Sequence, residues 1–113
     1  MALMQEGVYV ISVAARILDM HPQTLRKYER VGLIMPSRTR GMSRLYSDED
    51  IARLKLIKRL VEDLGLNHAG VHLAIELFNR MVRMRRQLAE LEGQPLRDAL
   101  NESLDDVFTI LAG

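Results

Sequence analysis

The most constraining feature of the sequence is a pair of short helical patterns separated by a proline. Apolar residues recur at helical spacing over residues 12–19, and a second pattern runs from Pro22 to Val31. Ser12 is the predicted N-cap of the first helix. Pro22 suits the first position of the second helix, where no backbone N–H is needed, and Gly32 follows as a stop. Two short helices joined by a tight turn predict a helix-turn-helix.

A short basic segment with the pattern of a β-hairpin comes next. Two extended runs flank Gly41 within residues 33–46. Ser47, with Asp50 three residues later, then marks the start of a helix over residues 48–64. The apolar face predicted for that helix is Ile51, Leu54, Ile57, Val61 and Leu64. Residues 8–66 are therefore predicted to form a mainly α winged helix-turn-helix, with the small β-hairpin as its wing.

A long helix is predicted over residues 67–92, with Asn67 as its N-cap. Apolar residues spaced alternately by three and four predict a dimerisation seam made of Leu77, Met81, Met84, Leu88 and Leu91. The seam is shorter than a secure coiled-coil pattern, so packing within one chain stays an alternative. Gly93 and Pro95 then break the helix, and residues 93–113 are predicted to form a short, acidic, amphipathic tail.

Composition narrows the possible chemistry. The chain of 113 residues has no cysteine, which excludes disulfides and thiolate metal sites. No catalytic triad, glycine-rich phosphate loop or pair of buried carboxylates is apparent, so an enzyme is not expected and no cofactor is predicted. Neither a secretory signal nor a membrane-length apolar stretch is present, and we expect a soluble protein of the bacterial cytoplasm.

Charge is distributed unevenly along the chain. Residues 16–59 contain eleven basic and five acidic residues, whereas residues 87–113 contain one arginine and six acidic residues. A basic half is suited to the phosphates of a nucleic acid, although solvated helix faces could give the same pattern. The exposed N-terminal half of the second helix is the end that a recognition helix places in the major groove, and it carries Gln23, Thr24, Arg26 and Lys27. Gln and Arg can pair with base edges, whereas Thr and Lys can reach either a phosphate or a base edge. The wing supplies further cations for the DNA backbone or minor groove, namely Arg38, Arg40 and Arg44.

Two ordered motifs resemble those of the MerR-type winged-helix transcription regulators. The first motif is Thr24-Leu25-Arg26-Lys27-Tyr28-Glu29-Arg30-Val31-Gly32-Leu33-Ile34. The second motif is Ser43-Arg44-Leu45-Tyr46-Ser47-Asp48-Glu49-Asp50. Within this family, residues 10–15, 21–26 and 66–71 are similar to the heat-shock repressors, and the whole resemblance covers roughly residues 8–92.

The resemblance implies a sequence-specific repressor of heat-shock and chaperone genes that binds inverted repeats as a homodimer through its long helix. It also implies the chaperone DnaK as a co-repressor. The chain departs from many relatives in having no cysteine and no more than 21 residues after Glu92, so no small-molecule ligand is expected. Carried onto this chain, the resemblance assigns phosphate contacts to Arg16 and Tyr28. Tyr46 fits either a phosphate contact through its hydroxyl or packing under the wing.

Several features allow other interpretations. His68, His72 and Glu76 share one helix face at zinc-ligand spacing, but no fourth ligand is evident. The acidic run 48–50 is typical of a helix N-terminus. Residues 107–111 fit either a chaperone-binding segment or packing on the dimer. The alternative function is an adaptor that regulates a co-chaperone without binding DNA, which has no need of a basic second helix and wing.

Overall fold

The computed structural model describes residues 7–38 and 43–112, apart from the side chain of Arg38. The chain divides after Gly65 into two compact units, each described by itself. We call residues 7–65 the winged unit and residues 66–112 the hairpin unit. The winged unit contains β1 Tyr9–Val10, α1 Ile11–Leu18, α2 Pro22–Arg30, β2 Ser37–Arg38, β3 Arg44–Tyr46, α3 Asp48–Lys58 and a π-helical turn Arg59–Asp63. The hairpin unit contains α4 His68–Leu88 and α5 Gly93–Ala112.

The first helix starts one residue earlier than the sequence predicts. Val10, which is extended at φ −70° and ψ 161°, is the N-cap, and no side chain caps the helix. The prediction that Ser12 is the cap is therefore wrong. The reason is that β1 ends at Val10 and leads directly into the first turn of α1. Asp19 ends α1 in the left-handed conformation, at φ 51°.

Pro22 occupies the start of α2, as predicted, and His21 is its N-cap. The Nδ1 atom of His21 accepts a hydrogen bond from the backbone N–H of Gln23 at 3.0 Å, which satisfies one donor of the first turn. After Val31, Gly32 adopts φ 82°, a conformation that glycine adopts readily, and the helix stops.

The predicted hairpin is present, and β1 extends it to a three-stranded antiparallel sheet in the order β1-β3-β2. Tyr9 pairs with Tyr46, and Arg38 pairs with Arg44. Gly7 continues this edge, where a Cβ atom would lie 2.8 Å from the carbonyl oxygen of Leu45. A side chain at residue 7 would therefore push the edge strand away from β3.

The capping box predicted at the start of α3 is confirmed. The backbone N–H groups of Ser47 and Asp50 each donate to the other residue's side chain, both at 3.0 Å. At the other end, the N–H of Leu64 bonds the carbonyl of Arg59 at 3.1 Å, five residues back, which is the spacing of a π turn. Within this turn Leu60 is buried, at 8% exposure. Val61 and Leu64, predicted to continue the apolar face, are exposed instead.

The core of the winged unit draws on every helix and on β3. Its buried apolar side chains are Ala14, Ala15, Leu18, Leu25, Tyr28, Leu33, Ile34, Tyr46, Ile51, Leu54, Ile57 and Leu60. Val31, which follows α2, is 38% exposed. Leu33 and Ile34 follow the turn at Gly32 and are buried, at 4% and 2% exposure.

In the hairpin unit, α4 has the predicted cap but a different end. The Asn67 side chain accepts a hydrogen bond from the N–H of Gly70 at 2.9 Å. The helix ends at Leu88 rather than near residue 92, and Gly93 begins α5 at φ 61°. The tail is thus a helix of 20 residues rather than a short one. Among the described residues, no helix is long and apolar enough to cross a membrane.

Candidate nucleic-acid interface

The candidate interface is built on the outward face of α2. Leu25 is fully buried and Tyr28 is 9% exposed, so one side of the helix is fixed in the core. Gln23, Lys27 and Arg30 are exposed, and Thr24 and Arg26 are partly exposed. The side chains predicted to lie in the major groove therefore share the solvent side of one anchored helix.

The C-terminal end of α2 is held in place by the turn that follows it. The N–H of Leu33 donates to the carbonyl of Tyr28 at 3.0 Å, and the N–H of Gly32 donates to that of Glu29 at 3.0 Å. Burial raises the pKa of the Tyr28 phenol, so the hydroxyl stays protonated at neutral pH. The phosphate contact implied for Tyr28 stays a prediction, since most of this side chain lies in the core.

The wing is connected to α2 by an ion pair. The Nε atom of Arg44, on β3, donates to the Oε2 atom of Glu29, near the end of α2. The two side chains are 26% and 17% exposed, so the pair is partly shielded from water. The hydrogen bond to Glu29 raises the pKa of Arg44. Arg44 is thus a wing cation that also fixes the wing strand against the second helix.

Tyr46 lies beneath this pair, on β3. Its side chain is fully buried, and among the described residues its hydroxyl has no hydrogen-bond partner. Burial raises the pKa of the phenol, and the nearby Glu29 carboxylate raises it further. Of the two roles open from sequence, this position favours packing under the wing.

The other predicted contact residues lie on α1, on β2 or outside the described part of the chain. Arg16 is exposed on α1. The backbone of Arg38 is on β2, but its side chain is not among the described groups. Arg40 lies outside the described residues. The structure therefore groups the α2 side chains with Arg44 and leaves the tip of the wing undescribed.

Three contacts that support this surface were missed by sequence reasoning. Glu29 is the only acidic residue between Asp19 and Asp48, which in retrospect indicates a specific pairing role. The Lys58 ammonium donates to the carbonyl of Leu18 at 2.9 Å, so a cation on α3 stabilises the C-terminus of α1. The Tyr9 hydroxyl donates to the Oδ1 atom of Asp48 at 2.8 Å. The last two join residues 39 or more apart, which no local pattern reveals.

The two histidines considered as zinc ligands are neighbours on α4. Their rings meet edge to face with centroids 4.4 Å apart. Over residues 7–38 and 43–112, no group of three or more histidine, cysteine, aspartate or glutamate side chains could hold a metal ion.

Of the residues predicted to form the dimer seam, four lie on α4 and Leu91 lies in the connection to α5, and their exposures differ. Met81 is 62% exposed, whereas Leu77, Met84, Leu88 and Leu91 are partly buried. Leu91 shares the lining of a cavity with Ala99 of α5. Packing against α5 of the same chain thus uses part of this seam, and its role in dimerisation stays a prediction.

Comparison with known proteins agrees with this geometry. Residues 9–77 match the family model of the MerR HTH family regulatory proteins. The chain is 49% identical to the heat shock protein HspR of Streptomyces coelicolor over 84 residues, which are 74% of this chain and 56% of that protein. It is 30% identical to the transcriptional regulator GlnR of Bacillus cereus over 100 residues, covering 86% of this chain and 77% of GlnR.

A third relative, the transcriptional regulator MlrA of Escherichia coli, is 42% identical over 58 residues, which are 50% of this chain and 24% of MlrA. The chain thus spans little more than half the length of HspR and a quarter of MlrA. The predicted resemblance to MerR-type regulators, and within them to HspR, is confirmed. GlnR and MlrA are HTH-type transcriptional regulators, and the chain belongs to the MerR HTH family.

Proposed function

We propose that this protein represses heat-shock and chaperone genes by binding inverted-repeat operators as a homodimer. The observation that carries the proposal is the outward face of α2, where Gln23, Arg26 and Lys27 share the solvent side of a helix anchored by Leu25. Gln and Arg side chains can form paired hydrogen bonds with base edges in the major groove. The similarity to HspR supports heat-shock genes as the target.

In the proposed complex, the roles follow from position. The N-terminal half of α2 enters the major groove, and Arg26 reads a guanine edge. Arg16 and Lys27 neutralise phosphates, and Arg44 holds the wing against the DNA backbone while it remains near Glu29. Repression then results from occupying the promoter.

The test is a titration of labelled duplex from the region upstream of the protein's own gene, against a scrambled duplex of equal composition, at two salt concentrations. Each phosphate contact lowers the log–log salt slope by about 0.9, so a dimer is expected to give a slope steeper than about −5. We expect preferential, salt-dependent binding to the upstream duplex. Equal binding to both duplexes would overturn sequence-specific repression.

We also propose that the chaperone DnaK acts as co-repressor, which the resemblance to heat-shock repressors supports. In that case free DnaK strengthens operator binding, and unfolded client proteins withdraw it. The measurement is operator affinity with and without DnaK, then with an added unfolded client. Unchanged affinity in the presence of DnaK would contradict this part of the proposal while leaving DNA binding intact.

A further inference from the structure

The hairpin unit contains a cavity between α4 and α5. Its volume is about 470 Å³, which lies within the range of roughly 300–1,000 Å³ found for small-molecule sites. Arg80 and Gln87 line it from α4, and Glu102, Ser103 and Asp106 line it from α5. All of these residues belong to one compact unit, so the hairpin unit forms the cavity by itself.

Arg80 is a buried cation whose hydrogen-bond donors are only partly used. Its side chain is 9% exposed. Its Nη2 atom donates to the Ser103 hydroxyl at 3.0 Å and lies 2.9 Å from the Oδ2 atom of Asp106. Among the described residues, its Nε atom is buried without a hydrogen-bond partner. A buried donor without an acceptor is costly, so an acceptor that reached Nε would gain a charge-assisted hydrogen bond.

The carboxylate that pairs with Arg80 lies at the solvent side of the cavity. Asp106 is 53% exposed, so rotation of its side chain away from Arg80 would leave its carboxylate hydrated. The same rotation opens the edge of the guanidinium that Nε and Nη2 form. A carboxylate bound along that edge accepts two parallel hydrogen bonds, whereas Asp106 lies against Nη2 alone. Asp106 is therefore a partner that a carboxylate ligand can replace.

The remaining charged group of the lining is a second carboxylate. Glu102 and Asp106 are four residues apart on α5, so they lie one turn apart on the same face of the helix. Glu102 forms no ion pair with any described residue. Like charges at this spacing repel each other, and a cation between them removes the repulsion. An ammonium group therefore suits this part of the cavity.

The cavity also has an apolar part. Leu91, in the connection between the helices, and Ala99 of α5 contribute to its lining. Small-molecule sites commonly combine apolar surface with a few polar groups that fix the orientation of the ligand. A short aliphatic group is the matching occupant for these two side chains.

We propose that this cavity binds a small zwitterion, namely an α-amino acid with a short aliphatic side chain. The carboxylate of the ligand replaces Asp106 on Nε and Nη2 of Arg80. Its ammonium group lies between Glu102 and the released Asp106, and its aliphatic side chain contacts Leu91 and Ala99.

Other small charged molecules match the lining less well. A dicarboxylate would bring a second negative charge next to Glu102 and Asp106, and a diamine would leave Nε of Arg80 without an acceptor. The sequence predicts no small-molecule ligand, partly because the chain has no cysteine. A zwitterion is held by charged and apolar side chains and needs no thiolate.

The test is a titration of the full chain with L-leucine, without DNA, followed by the Nε–Hε signal of Arg80 in NMR spectra of isotope-labelled protein. The signal is assigned by its absence in Arg80→Lys. We expect a saturable downfield shift, because the Nε–H group gains a carboxylate acceptor. Succinate and putrescine, as dicarboxylate and diamine probes, are expected to bind more weakly. The absence of a saturable shift with L-leucine, or equal or tighter binding of either other probe, would overturn the proposal.

A pair of charge variants tests the ammonium position. Glu102→Gln removes a carboxylate from the lining and is expected to weaken L-leucine binding several-fold. The matched control is Asp105→Asn, which removes the same charge from an exposed residue of α5 outside the lining and is expected to bind as the wild type does. Unchanged binding in Glu102→Gln, or an equal loss in both variants, would overturn the role of Glu102.

A pair of apolar variants tests the cavity itself. Ala99→Leu fills part of the cavity without changing its charge and is expected to remove the saturable shift. Ala89→Leu, at the exposed end of α4 and outside the lining, is the control. Unchanged helical circular dichroism shows that the loss comes from the filled cavity, and if Ala99→Leu unfolds, the comparison of Glu102→Gln with Asp105→Asn decides. A folded Ala99→Leu that binds L-leucine normally would overturn the cavity as the site.

These measurements are independent of the proposed function, because no DNA is present. Failure of L-leucine binding leaves the DNA-binding proposal intact. Binding of L-leucine by a chain that shows no preference for any duplex would support the cavity site and overturn the proposed repressor function.

Discussion

The winged unit and the hairpin unit distribute their apolar and polar side chains in opposite ways. Among the described residues, twelve apolar side chains are buried in the winged unit, whereas only Val71 and Ile75 are buried in the hairpin unit. The hairpin unit instead buries Arg80 and Ser103 and leaves a row of leucines and a phenylalanine outside. The winged unit thus has a core of its own, while the hairpin unit lacks the apolar packing that an independent unit needs.

The two units also use their polar side chains in different ways. In the winged unit, polar groups are used at helix ends, where Ser47, His21 and Lys58 satisfy backbone donors or acceptors. In the hairpin unit, the main polar contact is a charged one between the two helices, from Arg80 to Asp106.

The largest expected effect concerns the core of the winged unit. Leu25→Ala removes a fully buried side chain from α2, and we expect the free energy of unfolding to fall by about 2–5 kcal/mol. Chemical denaturation measures it. Met35→Ala is the control, because Met35 is 89% exposed and its truncation is expected to change stability by less than about 0.5 kcal/mol. Equal losses in the two variants would mean that α2 is not anchored as described.

A second prediction tests the polar interior of the hairpin unit. Arg80→Ala removes the contacts to Ser103 and Asp106, and we expect α5 to lose about 2 kcal/mol of protection from hydrogen exchange. Amides of α2 and α3 should keep their protection. Arg83→Ala, at an exposed position of α4, is the control. Unchanged exchange along α5 in Arg80→Ala would show that this contact does not hold the two helices together.

A third prediction uses two serines to sharpen the account of helix ends in the winged unit. Ser47→Ala removes one half of the capping box of α3 and is expected to destabilise the protein by about 1 kcal/mol. Ser12→Ala is expected to be neutral or slightly stabilising, because Ser12 lies within α1 and alanine is the better helix former. Thermal unfolding of both variants measures the two changes in stability. An equal loss of stability in Ser12→Ala would mean that Ser12 does cap α1.

The smallest expected effect is at Tyr46. Its hydroxyl is buried without a hydrogen-bond partner in the described structure, so Tyr46→Phe is expected to leave stability unchanged or raise it by less than about 1 kcal/mol. Because folding raises the pKa of Tyr46, the phenol ionises at a lower pH in the unfolded chain than in the folded one. The effect of this pKa difference on the free energy of unfolding is therefore absent below the ordinary pKa of 10.0, and stability is lost as the pH rises through the folded value. Stability at alkaline pH should therefore decline less steeply in Tyr46→Phe. A marked loss at neutral pH would indicate a hydrogen bond to this hydroxyl.

How much the sequence predicts differs between local and long-range features. Pro22, the Ser47–Asp50 box and Asn67 were predicted because a cap depends on a few neighbouring residues. The exposure of Val61 was not predicted, because helical spacing alone places it on the same face as the buried Leu54 and Ile57. The helix lengths in the hairpin unit depend on packing between α4 and α5, which no single segment encodes.

The candidate interface likewise combines local features, which the sequence predicts, with long-range contacts, which it does not. The outward residues of α2 follow from helical spacing, once Leu25 is assigned to the core. The ion pair between Glu29 and Arg44 connects α2 to β3, which are separated in sequence by the turn after α2 and by β2. Residue spacing alone does not reveal this pair. Tyr46 carries a hydroxyl that could reach DNA, and only the fold shows that it is enclosed.

The most direct test of the central claim, that the winged unit reads DNA sequence through α2, is a specificity ratio. We would measure by fluorescence anisotropy the affinity for the upstream duplex and for a scrambled duplex, at one salt concentration, for the wild type, Arg26→Ala and Arg97→Ala. Arg26→Ala is expected to lose roughly 5- to 150-fold in affinity for the upstream duplex and far less for the scrambled one, while Arg97→Ala, on α5, matches the wild type. Equal losses of Arg26→Ala on both duplexes, or a similar loss in Arg97→Ala, would contradict the claim.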